Sequence, residues 1–185
     1  MQLIVIEGVD ATGTTTQADL LAELLRAHGV NARSFHHTNP RTGDPLNDAL
    51  RYAEQRRSIC RELKHTDTVL IADRWWHTAF LEAEAHESAS SGIYDRWGAV
   101  SQVARQEPEM LPQSILLLLW LDAPDRVLDT RMRARGEVPD ALDRARRFAY
   151  RRHFRSKHQP INTDEPIKVV TLKLAELVFE ALGVR

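Results

Sequence analysis

The sequence predicts an α/β domain built on a five-stranded parallel sheet, and three observations predict it. Short apolar runs alternate with amphipathic stretches along the 185 residues, the pattern of buried strands joined by covering helices. The first run, Leu3-Ile4-Val5-Ile6, leads into a turn with glycines at 8 and 13, and a helical pattern opens directly after it. A later run closes on a charged pair, Asp73-Arg74, and ligands of open parallel sheets gather at the carboxyl ends of strands.

Taken in order, the first strand is followed by a helix in which Ala18, Leu21, Ala22, Leu24 and Leu25 recur at helical spacing, with Gly29 suited to its C′ position. Residues 32–36 form a short second strand. Residues 36–45, rich in turn formers, read as a loop. A mostly polar helix is expected from Leu46 to about Lys64, and a third strand over 68–74. Helices follow over 75–86 and 97–107, with a Ser/Gly linker at 88–92 between them. The run 115–121 is a central strand, too short to cross a bilayer. Pro124 fits the start of a helix to Arg135. Gly136–Asp140 is a break, and Ala141–Lys157 a basic helix. Residues 159–163 are a fifth strand, and 167–182 an amphipathic closing helix. No repeat or inter-domain linker interrupts this order, so one domain over 1–185 is expected.

Net charge is −1, so the chain as a whole carries no bias toward polyanions. Arginine and lysine nevertheless crowd residues 131–157, ten against three acids, which makes a nucleic-acid binder an alternative. The overall neutrality and the scarcity of aromatics beyond Phe148, Tyr150 and Phe154 weigh against it. A single cysteine, Cys60, excludes internal disulfides and cysteine-based zinc clusters and suits a reducing cytosol. Met1 runs straight into a strand, which leaves no room for a signal peptide, so a cytoplasmic location without membrane association is expected.

The turn Gly8-Val9-Asp10-Ala11-Thr12-Gly13 after a strand and before a helix is the frame of a phosphate-binding loop. Backbone N–H groups and a helix N-terminus converge there on an anion. The position after Gly13, ordinarily a lysine, is Thr14, whereas Thr15 fills the slot of a Mg²⁺-binding hydroxyl.

Together these motifs resemble the thymidylate kinases, P-loop nucleoside monophosphate kinases. The likeness rests on Glu7-Gly8-Val9-Asp10 with Gly13 and Thr15-Thr16-Gln17, Pro40-Arg41, Tyr52-x-x-x-Arg56, Asp73-Arg74 and Leu121-Asp122. Arg131-x-Arg133-x-Arg135-Gly136-Glu137 and Leu142-Asp143-Arg144 complete it. The resemblance implies a P-loop NTPase-type three-layer domain with a helical lid at about 131–145, Mg²⁺ with ATP as phosphoryl donor, and a homodimer. It implies transfer of the γ-phosphoryl to a pyrimidine nucleoside monophosphate, dTMP before others. Gly8, Ala11, Thr12, Gly13, Thr14, Thr15, Thr16 and Arg133 are then expected at ATP. Asp10, Arg41, Tyr52, Arg56, Arg74, Thr78 and Glu82 are expected at the acceptor, with Arg57 leaving the register at Arg56 open by one. Thr15 and Asp73 are expected at the metal, and Asp10, Arg74, Arg131 and Arg135 at the transfer step, with a lid arginine replacing the lysine that Thr14 displaces.

The sequence departs from the family at two further points. Ala79 occupies the place of a polar residue at the thymine ring edge, and Glu82 that of a tyrosine that excludes a ribose 2′-hydroxyl. A carboxylate at 82 is suited to accept a hydrogen bond from a hydroxylated sugar. Alternative readings are a kinase of a different or modified nucleotide, and a nucleotide-binding relative that has lost transfer activity.

Overall fold

Leu3, Val5, Leu70 and Ala72 point to one face of a sheet while Ile4, Ile6, Ile71 and Leu119 point to the other, and both sets are buried. This two-sided alternation forces helices onto both faces. The computed structural model describes residues 1–38, 44–89, 94–110 and 115–184. Strands β1 (Gln2–Glu7), β2 (Ala32–Phe35), β3 (Val69–Asp73), β4 (Ile115–Asp122) and β5 (Ile161–Asn162) pair in the order β2-β3-β1-β4-β5, every pair parallel.

Helices α1 (Thr14–Ala27) and α7 (Ile167–Leu182) cover one face, where Leu21, Leu25, Leu174 and Val178 meet the β-branched residues of β1 and β3. On the other, α2 (Pro45–Leu63) brings Ile59, Cys60 and Leu63 onto Leu3, Val5 and Leu70. Helices α3 (Trp76–Ala89) and α6 (Ala141–Phe154) bury Leu81, Ala85, Tyr150 and Phe154 against Trp120 of β4. Helices α4 (Tyr94–Met110) and α5 (Asp125–Ala134) complete the order. The expected α/β parallel sheet and its three layers are present.

Several ends shift. α4 starts three residues before the expected 97. α6 stops at Phe154, three residues before the expected Lys157, and the chain leaves through a turn in which the N–H groups of Lys157 and His158 both donate to Phe154 O. Pro124 is the N-cap of α5 rather than its first helical residue. β5 keeps only two pairings, Leu121 with Ile161 and Asp122 with Asn162, since Pro160 has no N–H to extend the ladder. The α6 terminus is closed by a reciprocal capping box between Asp140 and Asp143.

Candidate active site

The turn between β1 and α1 has the backbone of an anion cradle. Gly13 caps α1 at φ 90°, and Ala11 also lies in the left-handed region at φ 70°. Gly8 has no substitute: a Cβ there would lie 2.4 Å from Thr12 Oγ1 and 3.0 Å from the Leu121 carbonyl oxygen. Thr12 donates its hydroxyl to Val9 O (2.7 Å) and so braces the turn from within. The intrahelical bonds of α1 begin at Gln17 N to Gly13 O, so the N–H groups of Thr14, Thr15 and Thr16 have no earlier turn to bond and the helix dipole faces the same way. Thr14 is buried against the Gly8 backbone and lines the cleft together with the exposed Thr15 and Thr16. Gln17 instead ties α1 to α7, accepting from Thr171 Oγ1 at 2.8 Å.

β3 delivers Asp73 and Arg74 to this loop. Thr15 Oγ1 donates to Asp73 Oδ2 (2.6 Å), and the His36 ring bridges the same oxygen (3.1 Å) to Asp19 (2.8 Å). Burial works against a charged His36, but the bonds to Asp19 and Asp73 outweigh it and raise its pKa above the ordinary imidazole value. Asp73 Oδ1 is buried without a hydrogen-bond partner among the described residues, as is Arg74 Nε. Arg74 donates to Asp10 Oδ1 at 2.6 Å.

Arg74 has φ 65°, a strained value for a non-glycine residue. Its conformation is pinned on both sides from β1: Arg74 N donates to Ile6 O (2.9 Å), and Trp75 N donates to Glu7 Oε1 (2.8 Å). Glu7 is fully buried, and its other oxygen accepts from Thr78 Oγ1 (2.9 Å), which accepts in turn from Tyr150 OH (3.1 Å). Burial, with Glu7 nearby, pushes the Tyr150 phenol well above its ordinary pKa and keeps it a donor.

Tyr52, Arg56 and Trp75 form a second wall. Arg56 is buried, lies 5.8 Å over the Trp75 ring and donates to His37 Nε2 (2.9 Å). Of the two candidates, Arg56 lines the cleft, whereas Arg57 turns to Glu54. His37 sets its edge against Tyr52 at 4.7 Å. Burial, then the charges of Arg56, Arg74 and His36, hold the His37 pKa down at about 3, so the ring is neutral and accepts at Nε2. Thr78 and Ala79 line the cleft nearby, as does Glu82. Glu82 is already paired there: Arg146 Nε donates to its Oε2 at 2.8 Å, and Asp143 holds the same guanidinium from the other side. Arg41 lies outside the described residues.

The three arginines from α5 and its end take different places. Arg131 donates to Ala11 O (3.2 Å) and Thr163 Oγ1 (3.1 Å) and bonds Thr163 O, which clamps the phosphate loop to the residue after β5. Arg135 lines the cleft, exposed and paired with Glu137 at 3.1 Å. Arg133 is exposed and takes no part in the cleft lining. Residues four apart on a helix share a face, and the odd one does not. Along α6, Arg144 and Arg152 are exposed, whereas Arg147 is buried against Asp129 and Arg151 is held by Asp122 and Asp125.

Asp10, Thr15, His36, His37, Asp73, Arg74, Arg131 and Arg135 border one cleft of about 1060 Å³, with the phosphate loop at one end and Tyr52, Arg56 and Trp75 on its flank. The sequence profile of the family described as thymidylate kinase matches residues 6–180, which includes every element lining it. The chain belongs to the thymidylate kinase family. It is 34% identical over 175 residues to a thymidylate kinase of Xanthomonas campestris pv. campestris (strain B100), covering 84% of this chain and 74% of that protein. Identity to a thymidylate kinase of Xanthomonas euvesicatoria pv. vesicatoria is 35% over 152 residues, 76% of this chain and 65% of that one. A thymidylate kinase of Akkermansia muciniphila is 29% identical over 174 residues, 86% and 80% of the two chains.

Within this family member, four side chains at the cleft had no role assigned from sequence: Glu7, His36, His37 and Arg146. Glu7 carried a readable signal, because a carboxylate closing an otherwise apolar strand must be paired once buried. The histidines follow directly on β2 at the carboxyl edge of the sheet, the edge that already held the other site residues. Arg146 carried no signal that set it apart from its basic neighbours.

Proposed function

We propose that this chain transfers the γ-phosphoryl of ATP to dTMP, giving dTDP, in the cleft between the phosphate loop and α2. The observation that carries this reading is the junction of Asp73-Arg74 with the loop: a carboxylate bonded to Thr15 and an arginine bonded to Asp10, each with one buried polar atom left for a ligand. Catalysis of this kind is positioning and electrostatic stabilisation rather than covalent work by the protein. The N–H groups of residues 13–16 hold donor phosphate, Arg74 holds acceptor phosphate, and Tyr52 with Arg56 holds the base by its plane and a carbonyl. Arg131 and Arg135 bring charge from the 131–145 segment, which serves as the lid.

Thr15 and Asp73 are the residues that would hold Mg²⁺, and the unpartnered Asp73 Oδ1 fits a cation reached directly or through water. Among the described residues no cluster of three His, Cys, Asp or Glu side chains suits a metal, in keeping with an ion bound mainly by water and substrate phosphate. When bound, the ion neutralises charge on the donor phosphates. No described helix is long and apolar enough to cross a membrane. A cytoplasmic homodimer is part of this reading, supported by family membership.

A panel of nucleoside monophosphates with Mg-ATP, read by ADP release, tests it. Turnover with dTMP and not with purine monophosphates is the expected result. Nucleotide binding without turnover of any acceptor would move the chain to a non-catalytic role.

A further inference from the structure

The acceptor side of the cleft continues well past Tyr52 and Arg56. Arg56 of α2 meets Trp75 just before α3, while Leu46 and Ala49 share an apolar cluster with Ala79 and Ala83 of α3 and Trp97 and Val100 of α4. The cleft follows one face of α2 through Arg56, Tyr52, Ala49 and Pro45. Eleven residues of helix amount to about 16 Å at 1.5 Å per residue. A pyrimidine ring between Tyr52 and Trp75 occupies only the near part of this length.

The far part has its own character. Small side chains, Ala49 and Ala79, leave it open, Val100 makes it apolar, and the rings of His86 and Trp97 close it. Those rings are stacked at 3.8 Å with an interplanar angle of 11°. A flat aromatic pair at the end of an apolar passage suits another uncharged ring.

We propose that this compartment is a subsite for a bulky, uncharged, flat substituent on the acceptor's pyrimidine, carried at C5. That ring position leaves the carbonyls, the sugar and the phosphate free for the contacts assigned above. The inference rests on the reading of the cleft as a nucleoside monophosphate kinase site, and it narrows the substrate class to pyrimidine monophosphates enlarged at C5.

The test compares dTMP with 5-phenyl-dUMP in the natural chain, in Trp97→Ala and in Ala49→Leu, with Mg-ATP and ADP release as readout. In the natural chain, kcat/KM for 5-phenyl-dUMP should equal or exceed that for dTMP. Trp97→Ala should lower it at least tenfold while dTMP changes less than threefold, and Ala49→Leu should act in the same sense by filling the passage. Should Ala49→Leu not fold, Trp97→Ala alone decides. Turnover of dTMP with no use of 5-phenyl-dUMP overturns the subsite, as does an equal loss for both acceptors in Trp97→Ala. If neither acceptor turns over, the kinase reading fails, and calorimetry judges the subsite. Tighter binding of 5-phenyl-dUMP than of dTMP then supports it, and equal or weaker binding refutes it.

Discussion

Glu7 offers the sharpest test of how the site is built, because its carboxylate touches no cleft residue except through bonds that hold others in place. It is fully buried and accepts from Trp75 N at 2.8 Å and Thr78 Oγ1 at 2.9 Å. Glu7→Ala strands both donors away from water, at roughly 1–3 kcal/mol each, or about 2–6 kcal/mol together. Against a typical total of about 5–15 kcal/mol this is severe. Glu7→Gln is the finer probe. Its carbonyl keeps the Trp75 bond, but its amide presents a donor to a threonine hydroxyl that already accepts from Tyr150. One proton is left without an acceptor, at a cost of about 1–3 kcal/mol.

The catalytic consequence is separable from the loss of stability. Trp75 N is the anchor that holds Arg74 at φ 65°, so loosening it lets the Arg74 guanidinium drift from Asp10 and from acceptor phosphate. Urea unfolding followed by circular dichroism measures the first effect, and separate KM values for dTMP and ATP measure the second. Glu7→Ala, which removes the Trp75 bond, should raise KM for dTMP at least fivefold and leave KM for ATP within twofold, whereas Glu7→Gln, which keeps that bond, should raise KM for dTMP less. A variant as stable as the natural chain, or one that weakens both substrates equally, would refute the idea that Glu7 positions Arg74.

Three other outcomes are expected. Arg74→Ala should cripple acceptor use with little change in ATP binding, since a bidentate arginine–phosphate contact is charge-assisted; the opposite pattern in isothermal titration would reverse the two phosphate sites. Tyr52→Ala should raise KM for dTMP by an amount equivalent to about 1–3 kcal/mol through loss of a stacking plane, and an unchanged value would place the base elsewhere. His37 titrates near 3 in the folded chain and near 6.5 when unfolded, so between these values the unfolded state binds more protons. Its contribution to stability is therefore complete above pH 6.5 and shrinks as pH falls toward 3. Urea midpoints at pH 7 and pH 5 should differ less in His37→Asn than in the natural chain.

Much of this was legible in the sequence. The positions of the strands follow from which runs are apolar throughout, and the loop from two glycines whose need is now visible: Gly8 for close backbone approach, Gly13 for a left-handed cap. Asp73, Arg74, Tyr52 and Arg56 meet at the cleft because the end of a strand and one face of a helix are readable periodicities. The partner choices were not readable. That Arg146, not a substrate, takes Glu82, or that Arg131 bonds Ala11 and Thr163, depends on how α6 and the chain after β5 lie across the loop. Such contacts join residues 32 to 120 positions apart and leave no local pattern.

Arg131 also bears on the missing lysine. Thr14 is buried beside Gly8, so its side chain contributes no charge to the cleft, and the loop's own cation is gone. Among the lid arginines, Arg131 is the one whose guanidinium already lies against the loop, 3.2 Å from Ala11 O. A lysine at 14 would extend into the same cleft that Arg131 lines and would meet a like charge there. Thr14→Lys is therefore expected to leave kcat flat or lower it, although one preorganised stabiliser is typically worth on the order of 10²–10³ in turnover. Arg131→Ala should lower kcat by that factor, and Arg131→Lys should recover part of it if charge matters and little if only the clamp on Thr163 matters. Arg133→Ala, outside the cleft lining, should be silent. A tenfold or greater gain from Thr14→Lys, with Arg131→Ala nearly unchanged, would mean that nothing has replaced the lysine and that the loop works below the capacity of its fold.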